Sequence, residues 1–163
     1  VEWMLTLIGD ADMDSKGVYR ETFNNNKVEW VDKYDSGLYD CHEMLSEILS
    51  TMIYDSEREC LQPMTPWMIN KLFRRDLAIK ILDKVDINLT YAEDSVYLYS
   101  YLLECAGIVI SKECFYHYRF REESAIHSVN ERRLSEINNA YGALKSIFEQ
   151  QDRKCNLLYQ LKR

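Results

Sequence analysis

A single α+β domain dominated by helix is the fold class that this sequence predicts, on three observations. The 163 residues are 47% hydrophobic and 29% charged, a globular composition with enough apolar residues for one sizeable core and too few for two. The opening stretch carries short apolar runs separated by turn residues, which is the mark of strands. From Leu38 onward apolar residues recur at helical spacing instead.

Taken in order, residues 1–9 (VEWMLTLIG) suit a buried strand and DADMDSKG supplies turn chemistry. VYRETF and KVEWV then read as short strands around the polar NNNK, giving a hairpin or meander. Leu38, Cys41, Leu45, Ile48, Leu49 and Met52 fall on one face, which predicts a helix over 38–54. Thr65-Pro66 is an N-cap and first-turn pair for a short helix carrying WMINKLF. RRDLAIKILDKV forms the next helix, with Leu77, Ile81, Leu82 and Val85 inward. Thr90 and Glu93 make a T-x-x-E capping box opening a helix over 91–106. Its inner face holds Val96, Tyr99, Leu102, Leu103 and Ala106, and Gly107 is its stop. GIVIS and CFYHYR have strand character. SVNE is a second capping box, after which Leu134, Ile137, Tyr141, Leu144 and Phe148 step along an amphipathic helix. That pattern continues, with a break, through Cys155, Leu158 and Leu161.

Charge and cysteine usage narrow the function classes. A net charge of −7 argues against a nucleic-acid partner, which would call for a basic face. KLFRR and YRFR still supply two local basic pockets fit for an anionic group. No apolar run approaches the ~18–20 residues that span a bilayer, and Val1-Glu2-Trp3 has neither the basic start nor the long apolar core of a signal peptide. Five widely spaced cysteines with no C-x-x-C pair read as free thiols in a reducing compartment, Cys105 and Cys155 at core positions. His42, His117 and His127 share no ligand spacing, so no metal site is expected from them. Both ends look cut, and the expectation is one domain, 1–163, excised from a longer protein.

The chemistry centres on Glu93-Asp94. As structure, the pair caps a helix and sits favourably at the positive end of its dipole. As function, a carboxylate there is a candidate general base, its neighbour raising the proton affinity of the pair. MTPWMINKLFRR (64–75), LTYAEDSVYLYSYLL (89–103) and CFYHYRFREESAIH (114–127) stand in that order. Together they resemble the C-terminal half of bacterial family 2 glycosyltransferases of the GT-A fold. The matches are Asn70-Lys71-Leu72-Phe73-Arg74, Glu93-Asp94, and Tyr116-His117-Tyr118-Arg119 with Ser124 and Ile126, so the resemblance covers about residues 64–127.

The resemblance implies an inverting sugar transferase using a nucleotide-sugar donor and a saccharide or lipid-linked acceptor. Residues 64–127 would form the acceptor and catalytic-base region and 128–163 a C-terminal helical segment. Asp94 would take the proton of the acceptor hydroxyl, with Glu93 in support. Arg119 and Arg121, with Ser124 as hydroxyl donor, would face the leaving diphosphate. Many relatives place a histidine where Arg121 stands, so this segment supplies no expected metal ligand. Trp67 would stack on the acceptor ring or serve as a core tryptophan, and Lys71 would bind substrate or pair with an acid. The family's D-x-D motif holds Mg²⁺ or Mn²⁺ in its N-terminal half. Asp10-Ala11-Asp12 imitates it but reads as a turn, so the divalent metal is expected of the intact enzyme and none of this piece, which alone is expected to be inactive. The resemblance and the lack of a signal imply a cytoplasmic enzyme, compatible with peripheral association at the inner membrane face. Self-association through the C-terminal helix is the other partner expectation. It belongs to the alternative reading, a non-catalytic helical interaction domain.

Overall fold

A computed structural model describes residues 9–21, 26–86, 88–119, 132–151 and 155–163. The strand expected over 1–9 (save Gly9), the SVNE box, Arg121, Ser124, Ile126 and His127 lie outside the described residues. In chain order the elements are β1 (Met13–Glu21), β2 (Lys27–Trp30), β3 (Gly37–Tyr39), α1 (His42–Thr51), β4 (Tyr54–Asp55), β5 (Cys60–Leu61) and β6 (Lys71–Phe73). They continue with α2 (Arg75–Leu82), α3 (Glu93–Leu102), β7 (Ile108–Arg119), α4 (Arg133–Glu149) and α5 (Leu157–Gln160). The class is mixed α+β, as the composition and the change of period predict.

Strand β1 is the spine of a five-stranded sheet. It lies parallel to β7 along one side. Along the other it pairs antiparallel with β2 at its C-terminal end and with β6 at its start. β3 closes the far edge against β7. A parallel pair needs a long crossover, and here everything from β2 to α3 lies between β1 and β7. The β1–β2 hairpin is the one expected from VYRETF and KVEWV, with Val18 opposite Trp30 and Glu21 opposite Lys27. The β1–β7 register slips around Gly17, where an added Cβ would collide with Cys114 Sγ and lie 2.9 Å from Val31 Cγ1.

Three expectations are corrected here. DADMDSKG is not a hairpin turn: only Gly9 and Asp10 turn, and the strand begins at Met13 with Asp14, Ser15 and Lys16 fully buried. Burial of the Asp14–Lys16 pair, 3.4 Å apart, removes the solvent exposure that makes such a composition turn-forming. Nor does Thr65-Pro66 open a helix. Thr65 spends its N–H and hydroxyl on the Asp32 carboxylate, and Lys71–Phe73 joins the sheet instead. Thirdly, the Thr90–Glu93 capping box does not form. The Thr90 hydroxyl donates to Glu136 at 3.0 Å, and the N-cap is Ala92, in the left-handed region at φ 56° with no side-chain cap.

The core centres on α3, in which all residues from Val96 to Leu102 are buried. Full burial of one such Val or Leu side chain is worth about 1.5–3 kcal/mol, so this helix anchors the molecule. It packs against α2 and α4, and Phe73 meets Tyr97 and Tyr101 edge-on at 5.6 and 4.9 Å. Ile81 is the buried residue of α2, while Leu82, expected inward, is exposed. On α3 the expected inner residues are buried up to Leu103, but Ala106 lies beyond the helix and is exposed. α4 buries Ala140, Leu144 and Phe148 and leaves Leu134, Ile137 and Tyr141 exposed. α5 is pinned to α1 by Gln160, which donates to the Leu49 carbonyl at 2.8 Å and accepts from the Ile53 N–H at 3.0 Å. Cys105 and Cys155 are buried, and none of the five cysteines is in a disulfide.

Candidate acceptor site

The site is built on a buried polar lattice behind β6. The Asp32 carboxylate, 3% exposed, accepts from Ser15 Oγ at 2.5 Å on one oxygen. Its other oxygen accepts from the Thr65 N–H and hydroxyl at 2.8 and 2.7 Å. Three neutral donors thus replace the water lost on burial. Asn70 clips the loop to β1 by donating its amide to the Lys16 carbonyl, while the Lys16 N–H returns a bond to Asn70 O at 3.0 Å.

Lys71 sits on this lattice. Its ammonium meets Thr65 O at 2.7 Å, Thr65 Oγ1 at 3.2 Å, Trp67 O at 3.1 Å and Asn70 Oδ1 at 3.2 Å. All four are neutral oxygens. Burial pulls its affinity for a proton down, and the charges of Asp32 and Asp94 push it back up. Lys71 is therefore a buried cation held by neutral oxygens and coupled by charge to Asp32 and Asp94, not a free substrate-binding side chain.

Asp94 lies in the first turn of α3, half-buried, beside an exposed Glu93. Among the described residues its carboxylate has no hydrogen bond and no ion pair within 4 Å. Thr90 and Tyr91 are held to α4 instead, through Glu136 and through Arg133 at 4.2 Å over the Tyr91 ring. The helix start is left without a side-chain cap, and among the described residues its carboxylates have no bonded partner. Burial first, then the Glu93 charge, raises the proton affinity of Asp94, and Lys71 opposes them. This is the arrangement of a group that can take up a proton, with a fixed cation holding the ionised form.

Trp67 is half-buried and neither a free platform nor a core residue. Its ring stacks on Tyr118 at 5.7 Å and 11°, and lies 5.5 Å from Trp30. Arg119 does not join them. Side chains alternate along β7, and Arg119 lies on the opposite face with His117, where Glu21 Oε2 meets its Nε at 3.3 Å and Glu21 Oε1 meets His117 Nδ1 at 2.6 Å. Lys71 is thus bound to the Trp67 carbonyl and coupled by charge to Asp94, Glu93 adjoins Asp94 on the helix, and Arg119 is engaged by Glu21 instead.

Asp10-Ala11-Asp12 is a structural bracket and does not fit a metal. Asp12 Oδ2 accepts the Ala106 N–H at 2.6 Å, and Oδ1 pairs with Arg74 at 3.1 Å. Among the described residues no cluster of three His, Cys, Asp or Glu is placed to hold a metal ion, and no helix is long and apolar enough to cross a membrane. A cavity of about 660 Å³ lies between Gly9–Ala11, β3 and the start of β7, away from Asp94. Asp32, Thr65, Asn70, Trp30 and Tyr118 escaped the sequence reading as site residues. Asn70 and Tyr118 stood within the matched motifs, whereas nothing in the chain marked Asp32. Comparison with protein-family models, curated proteins and solved structures finds no match.

Proposed function

We propose that this chain is the acceptor-side wall and catalytic base of an inverting glycosyltransferase, with a GT-A-like architecture completed by a donor-binding half in the intact enzyme. The observation that carries the reading is Asp94: a half-buried carboxylate at a helix start with no side-chain cap, without a bonded partner among the described residues and coupled by charge to the buried Lys71. An acceptor hydroxyl is a poor nucleophile. Asp94 accepts its proton as the oxygen attacks the anomeric carbon, and the carbon–oxygen bond to the nucleoside diphosphate breaks on the opposite side. Lys71 keeps Asp94 ionised between turnovers, Glu93 raises its basicity, and Trp67 borders the acceptor ring. Charge on the leaving diphosphate is met by Arg121 and Ser124. Arg119 contributes only if its pairing with Glu21 opens. A divalent metal, where used, belongs with the donor half; once bound, it supplies positive charge to the diphosphate.

The test is sugar transfer from UDP- and GDP-sugars by the enzyme containing this chain. Asp94→Asn should lower turnover by about 10²–10⁴-fold, while Glu93→Gln should lower it far less. Turnover retained by Asp94→Asn would end the assignment. The second reading, an interaction domain, is favoured by Leu134, 76% exposed, with Ile137 and Tyr141 along the same helix. Sedimentation of wild type and Ile137→Glu tests it.

A further inference from the structure

We propose that Asp32 and Thr65 are positioning residues of the acceptor site: the Asp32 carboxylate, relayed through Thr65, is the counter-charge that keeps the buried Lys71 a cation. This deepens the acceptor reading and rests on it, since the two residues act on Asp94 only through Lys71. Thr65 stands between the opposite charges and turns a different end to each. Its N–H and hydroxyl lie 2.8 and 2.7 Å from Asp32 Oδ1. Its carbonyl and the same hydroxyl oxygen lie 2.7 and 3.2 Å from Lys71 Nζ. An ionised carboxylate can only accept, so the hydroxyl proton points to Asp32 and the oxygen lone pairs are left for the ammonium. Polarity therefore runs one way, from Lys71 N–H through the hydroxyl to Asp32, and each bond strengthens the next. Ser15 Oγ donates to the other Asp32 oxygen at 2.5 Å and fixes the far end of the chain.

Burial explains why such a relay is needed. Lys71 is 6% exposed, and the four oxygens around its ammonium belong to Thr65, Trp67 and Asn70, all neutral. Dipoles restore part of the hydration lost on burial, and an anion one hydroxyl away adds the charge they lack. Three N–H groups shared among four oxygens leave none for a ligand, so Lys71 acts on Asp94 as a fixed charge and not as a donor. The other titratable groups at this lattice are Tyr34, in the loop before β3, and Tyr99 of α3. Burial chiefly, with the Asp32 charge beside it, pushes both hydroxyls up, so neither changes charge before Lys71 does.

Titration of Lys71 in this chain, followed by NMR at its ¹³Cε, tests the proposal. Asp32→Asn keeps the shape and an acceptor for Thr65 and removes the charge alone. It should lower the Lys71 midpoint by about 1 pH unit or more. Thr65→Val should lower it too, while Thr65→Ser, which retains the hydroxyl, should titrate like wild type. If Asp32 and Thr65 serve only as scaffold, their variants shift the melting temperature and leave the Lys71 midpoint in place, and that result overturns the proposal. Should Asp32→Asn fail to fold, the Thr65 variants decide, and equal midpoints in Thr65→Val and Thr65→Ser overturn the relay. The base reading is separable. In an Asp94→Asn background the fall caused by Asp32→Asn should persist, so the relay stands on the Lys71 titration and the base on turnover.

Discussion

Thr90 shows how one residue can be misread by its local sequence. Thr90 and Glu93 have the spacing of a capping box, yet Thr90 bonds to Glu136, 46 residues on, a partner no local pattern can announce. The cost falls on Ala92, held at φ 56°, where a non-glycine residue is strained by about 1–2 kcal/mol. The acidic pair itself was legible, as was Lys71, but the lattice beneath was not: Asp32 sits in VDKYD with nothing to separate it from a surface acid. That lattice makes a stability prediction. Thr65→Val leaves one Asp32 oxygen with the backbone N–H alone, and should cost about 1–3 kcal/mol in denaturant unfolding. Asp94 runs the other way. Its carboxyl proton affinity is raised in the folded state, so the native state holds the proton to higher pH than the unfolded one. Stability then falls as pH rises above the ordinary value of 3.8. Asp94→Asn should accordingly melt no lower than wild type at pH 7.

At the scale of elements, period and propensity located α2, α3, the β1–β2 hairpin and the long α4, because each carries its own apolar repeat; the helix expected over 38–54 is shortened to α1, since Leu38 joins β3 and, like Cys41, is exposed. They failed where tertiary pairing decides. Lys71–Phe73 reads as helix by its neighbours and becomes strand because β1 offers it an edge. Asp14 and Lys16 read as turn because a buried ion pair within a strand is rare; burial raises the Asp14 proton affinity and Lys16 resists it. The slip in register between β1 and β7 turns on Gly17, whose missing side chain makes room for Cys114 and Val31. Gly17→Ala should cost about 1–3 kcal/mol through overpacking, and Cys114→Ala in the same chain should recover part of it. Equal melting of Gly17→Ala and wild type would remove the glycine from the account.

On the scale of the whole molecule, contacts distant in sequence set the architecture. Glu104, past the end of α3, pairs with Lys80 at 2.8 Å and Lys84 at 2.9 Å, which ties α3 to α2 and its end. Hydrogen bonds from both lysines pull the Glu104 carboxyl down to about 2. Its contribution is complete above the ordinary value of 4.5 and is lost as pH falls toward about 2. Glu104→Gln should therefore lower the melting temperature at pH 7, and the difference from wild type should close at the acid end of that window. The screened, partly exposed setting keeps the effect small.

The central claim is that Asp94 is a base held open at a helix start and not a cap. A capping carboxylate, bonded to backbone N–H groups beside the positive end of a helix, titrates below the ordinary aspartate range. The most direct measurement is a ¹³C-detected titration of the Asp94 carboxyl in this chain. A midpoint above 3.8, moving higher in Lys71→Met, is the result predicted here. A midpoint below 3.8 would show the carboxylate engaged by the helix and would contradict the assignment.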